Sequence, residues 1–241
     1  MKAGILAAGR GSRLAQGGVA VPKPLVLVGG QTLVARALDG AAAVGAQRAA
    51  IITTPVFPEV AEYIRGHSWP LPVDLTVWDS PNSLESLWAL EPHLDAPFLL
   101  LTVDAVFAPG ALPGFVSQAQ EAQTSGALGL TAFKEDESPL YVQVGAEGRV
   151  ISVGQPQASP FITAGCYYFL PEIFTWRARS RSWGLKALRE FLALLARVGY
   201  PLLGIEVGPA VDVDHPGDIA RAEELLKGAL RNGFMGGGPG T

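Results

Sequence analysis

Gly4-Ile-Leu-Ala-Ala-Gly-Arg-Gly-Ser-Arg-Leu14 is an apolar run that passes directly into a glycine-rich loop. Glycine and alanine let the backbone N–H groups of such a loop approach a ligand closely, and successive N–H groups form a site for an anion. The loop therefore predicts a nucleotide site at the end of a first strand. It is not a Walker A loop, and Leu14 stands where the dinucleotide fingerprint has its third glycine. A tight turn without a ligand is an equally good interpretation of this stretch alone.

Outward from this loop, short apolar runs bounded by turn residues recur at 3–8, 49–53, 73–78 and 98–103. The stretches between them are longer, and residues 32–44 carry apolar side chains at helical spacing. This alternation predicts βαβ units around a buried parallel sheet. Beyond Gly126, four runs at 127–133, 140–144, 150–153 and 162–169 follow one another with short turns, which indicates a mixed or antiparallel extension of the sheet.

The C-terminal part adds a second helical stripe, at Leu185, Leu188, Leu192 and Leu195, and a strand at 202–207. A last helix is predicted to start near His215-Pro216 and to run to about residue 230, because proline is tolerated in a first turn. We interpret residues 1–230 as one domain and residues 231–241 as a flexible, glycine-rich tail.

Composition excludes several classes of protein. Of the 241 residues 49% are hydrophobic and 17% charged, which excludes a disordered body. A net charge of −4 excludes nucleic-acid binding by bulk charge. The single Cys166 and three scattered histidines exclude an internal disulfide, a thiolate zinc site and a histidine cluster. No apolar run approaches the ~20 residues of a membrane span and no export signal is visible, so we expect a cytoplasmic protein.

Val21-Pro-Lys-Pro-Leu25 follows the glycine-rich loop directly. Proline on both sides restricts the backbone and removes two N–H donors, so Lys23 is expected to be presented from a stiff, non-helical segment. A lysine held in this way beside an anion site suits the neutralisation of phosphate charge. The alternative is a solvated loop lysine, which is what most lysines are.

Three aspartates are candidate metal ligands. Asp104 directly follows the run 98–103, and ligands of open α/β sheets bind outside the carboxyl ends of the strands. In Val211-Asp-Val-Asp-His-Pro-Gly-Asp218, the alternation of an extended segment puts Asp212 and Asp214 on one side. Mg²⁺ is usually held by one or two carboxylates and substrate phosphates, so these residues predict a Mg²⁺ site. The alternatives are a turn cap for Asp104 and the N-cap of the last helix for Asp214.

Taken in order, four features resemble the nucleotidyltransferase superfamily of sugar-phosphate nucleotidylyltransferases: Leu6-Ala-Ala-Gly-Arg-Gly-Ser-Arg-Leu14, Pro22-Lys-Pro24, Asp104 and Asp212-Val-Asp-His-Pro-Gly-Asp218. The resemblance spans nearly the whole chain, and the loop with Pro-Lys-Pro is its most specific part. It implies an α/β fold with a Rossmann-like, mixed but mostly parallel sheet, helices on both faces and an acceptor-binding β extension. It also implies that NMP passes from an NTP to a phosphorylated acceptor with release of pyrophosphate.

The resemblance further implies roles for individual residues. The implied nucleotide contacts are Leu6, Ala7, Ala8, Gly9, Gly11 and Ser12; the catalytic cations are Arg13 and Lys23; the Mg²⁺ ligands are Asp104 and Asp214, assisted by Asp212; and the acceptor contacts are Thr163, Ala164 and Gly165. A phosphate monoester is already ionised near neutral pH, so this site needs no general base.

Asn82-Ser-Leu-Glu-Ser-Leu-Trp88 is similar to a stretch of cytidylyltransferases that act on phosphocholine and on phosphonates. The similarity implies that Asn82 and Ser86 contact the base and favours CTP, with UTP second. The residues alone also fit a helix over 83–90 that Asn82 caps, with Glu85 completing a capping box.

We therefore predict a metal-dependent nucleotidyltransferase that acts on a sugar phosphate or a small phospho-alcohol. The alternatives are a molybdenum-cofactor guanylyltransferase, which shares the loop and the lysine, and a non-catalytic nucleotide-sensing module on the same fold. A dehydrogenase is disfavoured because the glycine fingerprint is incomplete. The sequence leaves the oligomeric state open.

Overall fold

The computed structural model describes residues 1–133, 138–154 and 159–228. The strands are β1 (Lys2–Ala7), β2 (Leu27–Val28), β3 (Gln31–Thr32), β4 (Ala49–Thr53), β5 (Val73–Val77), β6 (Phe98–Thr102), β7 (Ala105–Phe107), β8 (Gly126–Thr131), β9 (Tyr141–Val144), β10 (Val150–Gly154), β11 (Phe161–Phe169), β12 (Leu202–Glu206) and β13 (Ala210–Asp212). The α-helices are α1 (Ser12–Gln16), α2 (Leu33–Ala43), α3 (Pro58–Gly66), α4 (Ser83–Ala89), α5 (Ala111–Glu121), α6 (Arg177–Ser182), α7 (Leu188–Arg197) and α8 (Pro216–Leu226).

The first half of the chain forms the parallel part of the central sheet, in the order β5, β4, β1, β6. Ile5 of β1 lies between Ile51 of β4 and Leu101 of β6 in the register of the sheet. Helices cover both faces of this part of the sheet, so its inner strands β1, β4 and β6 are buried on both sides. This burial is why each of the three appears in the sequence as a continuous apolar run. The predicted α/β class and parallel sheet are confirmed.

The second half extends the sheet through β11, which runs antiparallel to β6, β8 and β9. Its last residues pair with β6 and β8, whereas Phe161 and Ile162 pair with β9, which carries β10 at its outer side. Strand β12 returns parallel to β8. The sheet is therefore mixed, and the predicted extension is confirmed.

Two apolar cores lie on the two faces of the sheet. One contains Leu38 of α2 against Ile5 and Ile51, and the other contains Trp88 of α4 and Phe191 of α7, whose rings meet edge to face with 5.1 Å between centroids. Thr32 caps α2 by accepting a hydrogen bond from the backbone N–H of Ala35. Helices thus cover both faces, as predicted.

Strands β7 and β13 form a separate antiparallel ladder of three residue pairs beyond the end of β6, which the sequence analysis did not predict.

Helix α8 begins at Pro216, as predicted. Its predicted end near residue 230 and the predicted tail at 231–241 lie outside the described residues. No helix among residues 1–133, 138–154 and 159–228 is long and apolar enough to cross a membrane.

Candidate active site

A cavity of about 560 Å³ opens at the carboxyl ends of β1 and β6. One side, here called the loop wall, consists of Leu6, Ala8, Gly9, Gly11, Ser12, Arg13, Ser80, Asn82, Ser83 and Ser86. Another side, here called the extension wall, consists of Ser138, Leu140, Thr163, Gly165, Tyr167, Ala187, Leu188 and Arg189. Lys23, Asp104, Asp212 and Asp214 line the same cavity, together with Thr102 and Val103.

The glycine-rich loop brings its backbone close to Lys23. Gly11 has a positive φ of 59°, and a Cβ atom at this position would lie 2.8 Å from Cβ of Lys23. Only glycine adopts this conformation and this approach without strain. The loop then enters α1, where the backbone N–H of Ala15 donates to the carbonyl of Gly11.

Lys23 is the most buried charged residue of the cavity, with 7% of its surface exposed. The prediction of a non-helical segment is wrong, because Lys23–Leu25 forms one turn of 3₁₀ helix closed by a 2.8 Å bond from the N–H of Leu25 to the carbonyl of Pro22. Pro22 precedes this turn with extended backbone, and Pro24 fits its first residues. The interpretation of Lys23 as a solvated loop lysine is therefore wrong.

The Lys23 ammonium lies between two carboxylates. Its Nζ donates to Oδ2 of Asp104 and to Oδ1 of Asp214, both at 2.5 Å. The other oxygen of Asp214 accepts a 2.8 Å hydrogen bond from Nη1 of Arg13. Asp214 thus joins two cations that come from separate stretches of the chain.

The β7–β13 ladder brings the two aspartates together. It pairs Ala105 with Asp212, and the N–H of Val213 donates to the carbonyl of Asp104 at 3.0 Å. The turn into α8 is fixed by Asp218, whose Oδ2 accepts from the N–H of Asp214 at 3.0 Å and of His215 at 2.7 Å.

These contacts bear on both structural alternatives for the aspartates. His215, and not Asp214, occupies the N-cap of α8, so that alternative is wrong. Asp104 does more than cap a turn, since its Oδ2 accepts a hydrogen bond from the ammonium of Lys23.

The pKa values of this cluster favour charged groups. Burial lowers the pKa of Lys23, but Asp104 and Asp214 outweigh burial, so the pKa lies well above its ordinary value. For Asp104, burial raises the pKa, and the charge and hydrogen bond of Lys23 outweigh this and hold it below its usual range. Lys23 and Asp104 therefore form a charged pair at neutral pH.

The two carboxylates that face Lys23 are candidate ligands for Mg²⁺. Asp104 and Asp214 both direct an oxygen at the same cation, the Lys23 ammonium, and two such carboxylates match the usual protein share of a Mg²⁺ site. Asp212 lines the same cavity. Over the described ranges, no group of three or more His, Cys, Asp or Glu side chains is arranged to hold a metal ion. The two carboxylates therefore fit a Mg²⁺ site whose remaining ligands are substrate oxygens. This Mg²⁺ site stays a prediction.

Helix α4 enters the loop wall with its first turn. Asn82 is its N-cap, and Oδ1 accepts hydrogen bonds from the N–H groups of Leu84 at 3.1 Å and Glu85 at 2.9 Å. Ser86 is buried, with its hydroxyl 2.5 Å from that of Ser80 and 3.2 Å from the carbonyl of Asn82. The predicted cap is confirmed.

The predicted capping box at α4 is wrong, because the carboxylate of Glu85 turns to Arg181 of α6 and not back to the N-cap. Arg181 donates from Nε to Oε1 at 2.8 Å and from Nη2 to Oε2 at 2.5 Å. Arg177 similarly pairs with Glu91 at 2.8 Å, and the guanidinium of Arg179 lies over the ring of Trp176. Arg177, Arg179 and Arg181 thus contact neighbouring elements and do not line the cavity.

Two of the three predicted acceptor contacts, Thr163 and Gly165, line the cavity in the extension wall. Gly165 has φ of 78°, and a Cβ there would lie 2.6 Å from both Cβ of Ala105 and Oγ1 of Thr102. The register of β11 against β8 shifts between Thr163 and Tyr167, and Gly165 lies within this irregularity. Ala164 is instead buried in the core and lines a smaller, adjoining cavity of about 40 Å³, which shares Arg13, Thr163, Asp212 and Asp214 with the first.

Most of the predicted site residues therefore come together, and two do not line this cavity. Ala7 is buried in the core, because side chains alternate along β1 and those of Leu6 and Ala8 face the cavity. Ala164 is the second. The sequence analysis missed the remaining lining residues of the two walls: Ser80, Ser83, Ser138, Leu140, Tyr167, Ala187, Leu188 and Arg189. Ser83 lay inside a recognised motif, whereas Arg189 had no local signal.

Comparison with known proteins identifies the family of this chain. The family model of the MobA-like NTP transferase domain matches residues 3–168. The chain is 25% identical over 236 residues to the UTP–glucose-1-phosphate uridylyltransferase AglF of Haloferax volcanii, covering 94% of this chain and 97% of that protein. It is 27% identical over 249 residues to the CMP-5'-(3-aminopropyl)phosphonate synthase of Streptomyces rubellomurinus, covering 92% of this chain but 38% of the synthase.

Among solved structures, the inositol-1-phosphate CTP transferase of T. maritima superposes with a TM-score of 0.81. The identity is 22%, and 94% of each chain is covered. At this level of identity the likeness shows a shared fold.

Proposed function

The chain belongs to the family of MobA-like NTP transferase domains, and from this premise we propose that it transfers NMP from an NTP to a small phosphorylated acceptor, releasing pyrophosphate. One observation carries the proposal: Lys23 is held at 2.5 Å from both Asp104 and Asp214, in the cavity that the glycine-rich loop also lines. Such a charge cluster suits a reaction in which both partners are phosphates.

The chemistry assigned to the two cations follows from charge. An acceptor phosphate oxygen attacks the α-phosphorus in line, so negative charge builds up on the equatorial oxygens and on the leaving pyrophosphate. Lys23 keeps its proton throughout the physiological range, because the two carboxylates raise its pKa. Phosphate oxygens replace one or both carboxylates as its hydrogen-bond acceptors, and the guanidinium of Arg13 offers a second cation beside it.

We assign Asp104 and Asp214, with Asp212 beside them, to Mg²⁺. When bound, this ion supplies Lewis acidity and neutralises phosphate charge. The protein's own part is to hold the carboxylates in place: the β7–β13 ladder fixes Asp104, and the carboxylate of Asp218 fixes the backbone that carries Asp214.

For the base we propose CTP first and UTP second. Both hydrogen bonds of the α4 cap use Oδ1 of Asn82, so its amide N–H groups are what the side chain offers to a base. Cytosine presents two adjacent acceptors, O2 and N3, whereas uracil carries a hydrogen on N3. The relatives support a pyrimidine without choosing between the two, since one is named for UTP and another for CMP.

The proposed acceptor is a sugar phosphate or a small phospho-alcohol. The supporting names are those of relatives that act on glucose 1-phosphate and inositol 1-phosphate, and of one that makes the CMP derivative of an aminopropylphosphonate. In this chain, Thr163 and Gly165 line the extension wall of the cavity, which supports the assignment of the acceptor to this wall.

The test is a matrix of the four NTPs against glucose 1-phosphate, inositol 1-phosphate, phosphocholine, 3-aminopropylphosphonate and the pterin cofactor of molybdenum enzymes, read by pyrophosphate release. We expect Mg²⁺-dependent release that is fastest with CTP. Preference for GTP, with activity only toward a pterin cofactor, favours the guanylyltransferase. Tight nucleotide binding without release from any pair favours the sensing module and overturns the proposal.

A further inference from the structure

The charges of the cavity are distributed unevenly between its walls. Arg13 and Lys23 each donate to a carboxylate oxygen. Arg189, in the extension wall, donates from Nη2 to the carbonyl of Ser138 at 3.0 Å, and among the described residues no carboxylate pairs with it. A guanidinium has five N–H donors, so this neutral contact leaves most of its hydrogen-bonding capacity and its full charge toward the cavity.

The position of Arg189 is fixed by its neighbours. It lies in the first turn of α7, directly after Leu188, whose backbone N–H donates to Oγ of Ser83 at 3.0 Å. The contact with Ser138 ties the guanidinium to the segment that precedes β9. Arg189 is exposed, and this contact holds the tip of its side chain while the backbone at its base is held at Leu188. A guanidinium held in this way selects ligands better than a freely rotating one.

We propose that Arg189 is a specificity-determining residue that contacts the part of the acceptor beyond its phosphate. Its N–H groups donate to hydroxyl or carboxylate oxygens there, and its charge repels an ammonium group at the same position. The residue thereby selects polyhydroxylated or anionic acceptors against those that carry an amine or a quaternary ammonium. This inference rests on the proposed function and adds to it the class of acceptor.

The test uses two acceptor analogues that differ only at one end, 3-hydroxypropylphosphonate and 3-aminopropylphosphonate. Each is measured as a substrate and as a competitive inhibitor of the reaction with inositol 1-phosphate, so the comparison does not depend on turnover of either. For the wild-type protein we expect the hydroxyl compound to bind more tightly. The quantity compared is the inhibition constant of the amino compound divided by that of the hydroxyl compound. In Arg189→Gln this ratio should fall about tenfold, the scale of one charge-assisted hydrogen bond. In Arg189→Glu the preference should reverse, so that the amino compound binds more tightly.

The matched control is Arg197→Gln, which removes an exposed arginine from the last turn of the same helix and should leave the ratio unchanged. Melting temperatures close to that of the wild type exclude misfolding of the variants.

The outcomes separate the two proposals. Pyrophosphate release that persists with an unchanged inhibition ratio in both Arg189 variants overturns the role of Arg189 alone. Weaker binding of the NTP alone in Arg189→Gln would also overturn the role of Arg189 and leave the proposed function intact. Absence of release with every acceptor overturns the proposed function and this inference with it.

Discussion

The loop wall presents backbone and mostly short side chains to the cavity, whereas the extension wall presents side chains from β11, the first turn of α7 and the segment before β9. In the loop wall, the charge of Arg13 is compensated by Asp214, and Oδ1 of Asn82 accepts the hydrogen bonds of a helix cap. In the extension wall, Arg189 faces a neutral carbonyl. A wall of fixed backbone suits the phosphates and ribose that all nucleotides share, and a wall of side chains suits the partner that varies.

The largest effect is expected where the two walls share the charge cluster. Asp104→Asn and Asp214→Asn should each lower the rate of pyrophosphate release at least about a hundredfold, as is typical when a positioned charge-stabilising group is removed. Asp95→Asn is the control, because Asp95 is an exposed aspartate paired with Lys2. Full activity in excess EDTA would show that the metal role is wrong while leaving the Lys23 contacts intact.

The next effect separates turnover from stability. Lys23→Met should abolish most turnover and also lower the free energy of unfolding, since it leaves Asp104 without its cation and Asp214 with Arg13 alone. Removing one partner of a fully buried pair costs about 3–5 kcal/mol, and we expect less here because the two carboxylates remain 25% and 30% exposed. The measurements are steady-state kinetics and urea unfolding, with Lys2→Met as the control. An unchanged unfolding free energy would contradict the buried pairing.

The burial of Lys23 shows where sequence reasoning ends. Its flanking prolines predicted a stiff presentation, but the partners that bury it lie 81 and 191 residues away in the chain. These partners meet through a ladder of three residues per strand, which is too short to show a period of two. By contrast, β1, β4 and β6 were predictable, because burial on both faces makes each a continuous apolar run.

The loop wall was likewise more predictable than the extension wall. Glycines, prolines and the cap of α4 act within a few residues, so local patterns reveal them. Arg189 has no such signal, because an arginine that lines a cavity and one in a solvated helix face have the same neighbours in sequence. Glu85 shows the same limit: its spacing from Asn82 fits a capping box, yet Arg181, 96 residues away, takes its carboxylate.

A smaller effect concerns base choice in the loop wall. Asn82→Asp keeps an oxygen for the α4 cap, and a carboxylate is favourable at a helix N-terminus. It removes both amide donors and supplies an acceptor for N3–H of uracil. We expect the ratio of kcat/KM for CTP over UTP to fall about tenfold, the scale of one hydrogen bond, with an unchanged melting temperature. An unaltered ratio would leave Asn82 with the cap as its sole role.

The smallest expected effect concerns the pair that joins α4 of the loop wall to α6, Glu85 with Arg181. The hydrogen bonds from Arg181 are the main cause that lowers the pKa of Glu85 below its ordinary value of 4.5. A lowered pKa in the folded state means that the stabilisation is fully present above pH 4.5 and is lost as the pH falls through the lowered value.

Glu85→Gln should therefore cost a little free energy of unfolding at pH 7, and the gap to the wild type should close in acid. Urea unfolding of the wild type, Glu85→Gln, Arg181→Gln and the double variant isolates the pair from the loss of either side chain alone. Because Arg181 is exposed, the coupling should also weaken with salt. A gap that stays constant from pH 7 down to pH 3 would mean that Glu85 acts through packing and not through its charge.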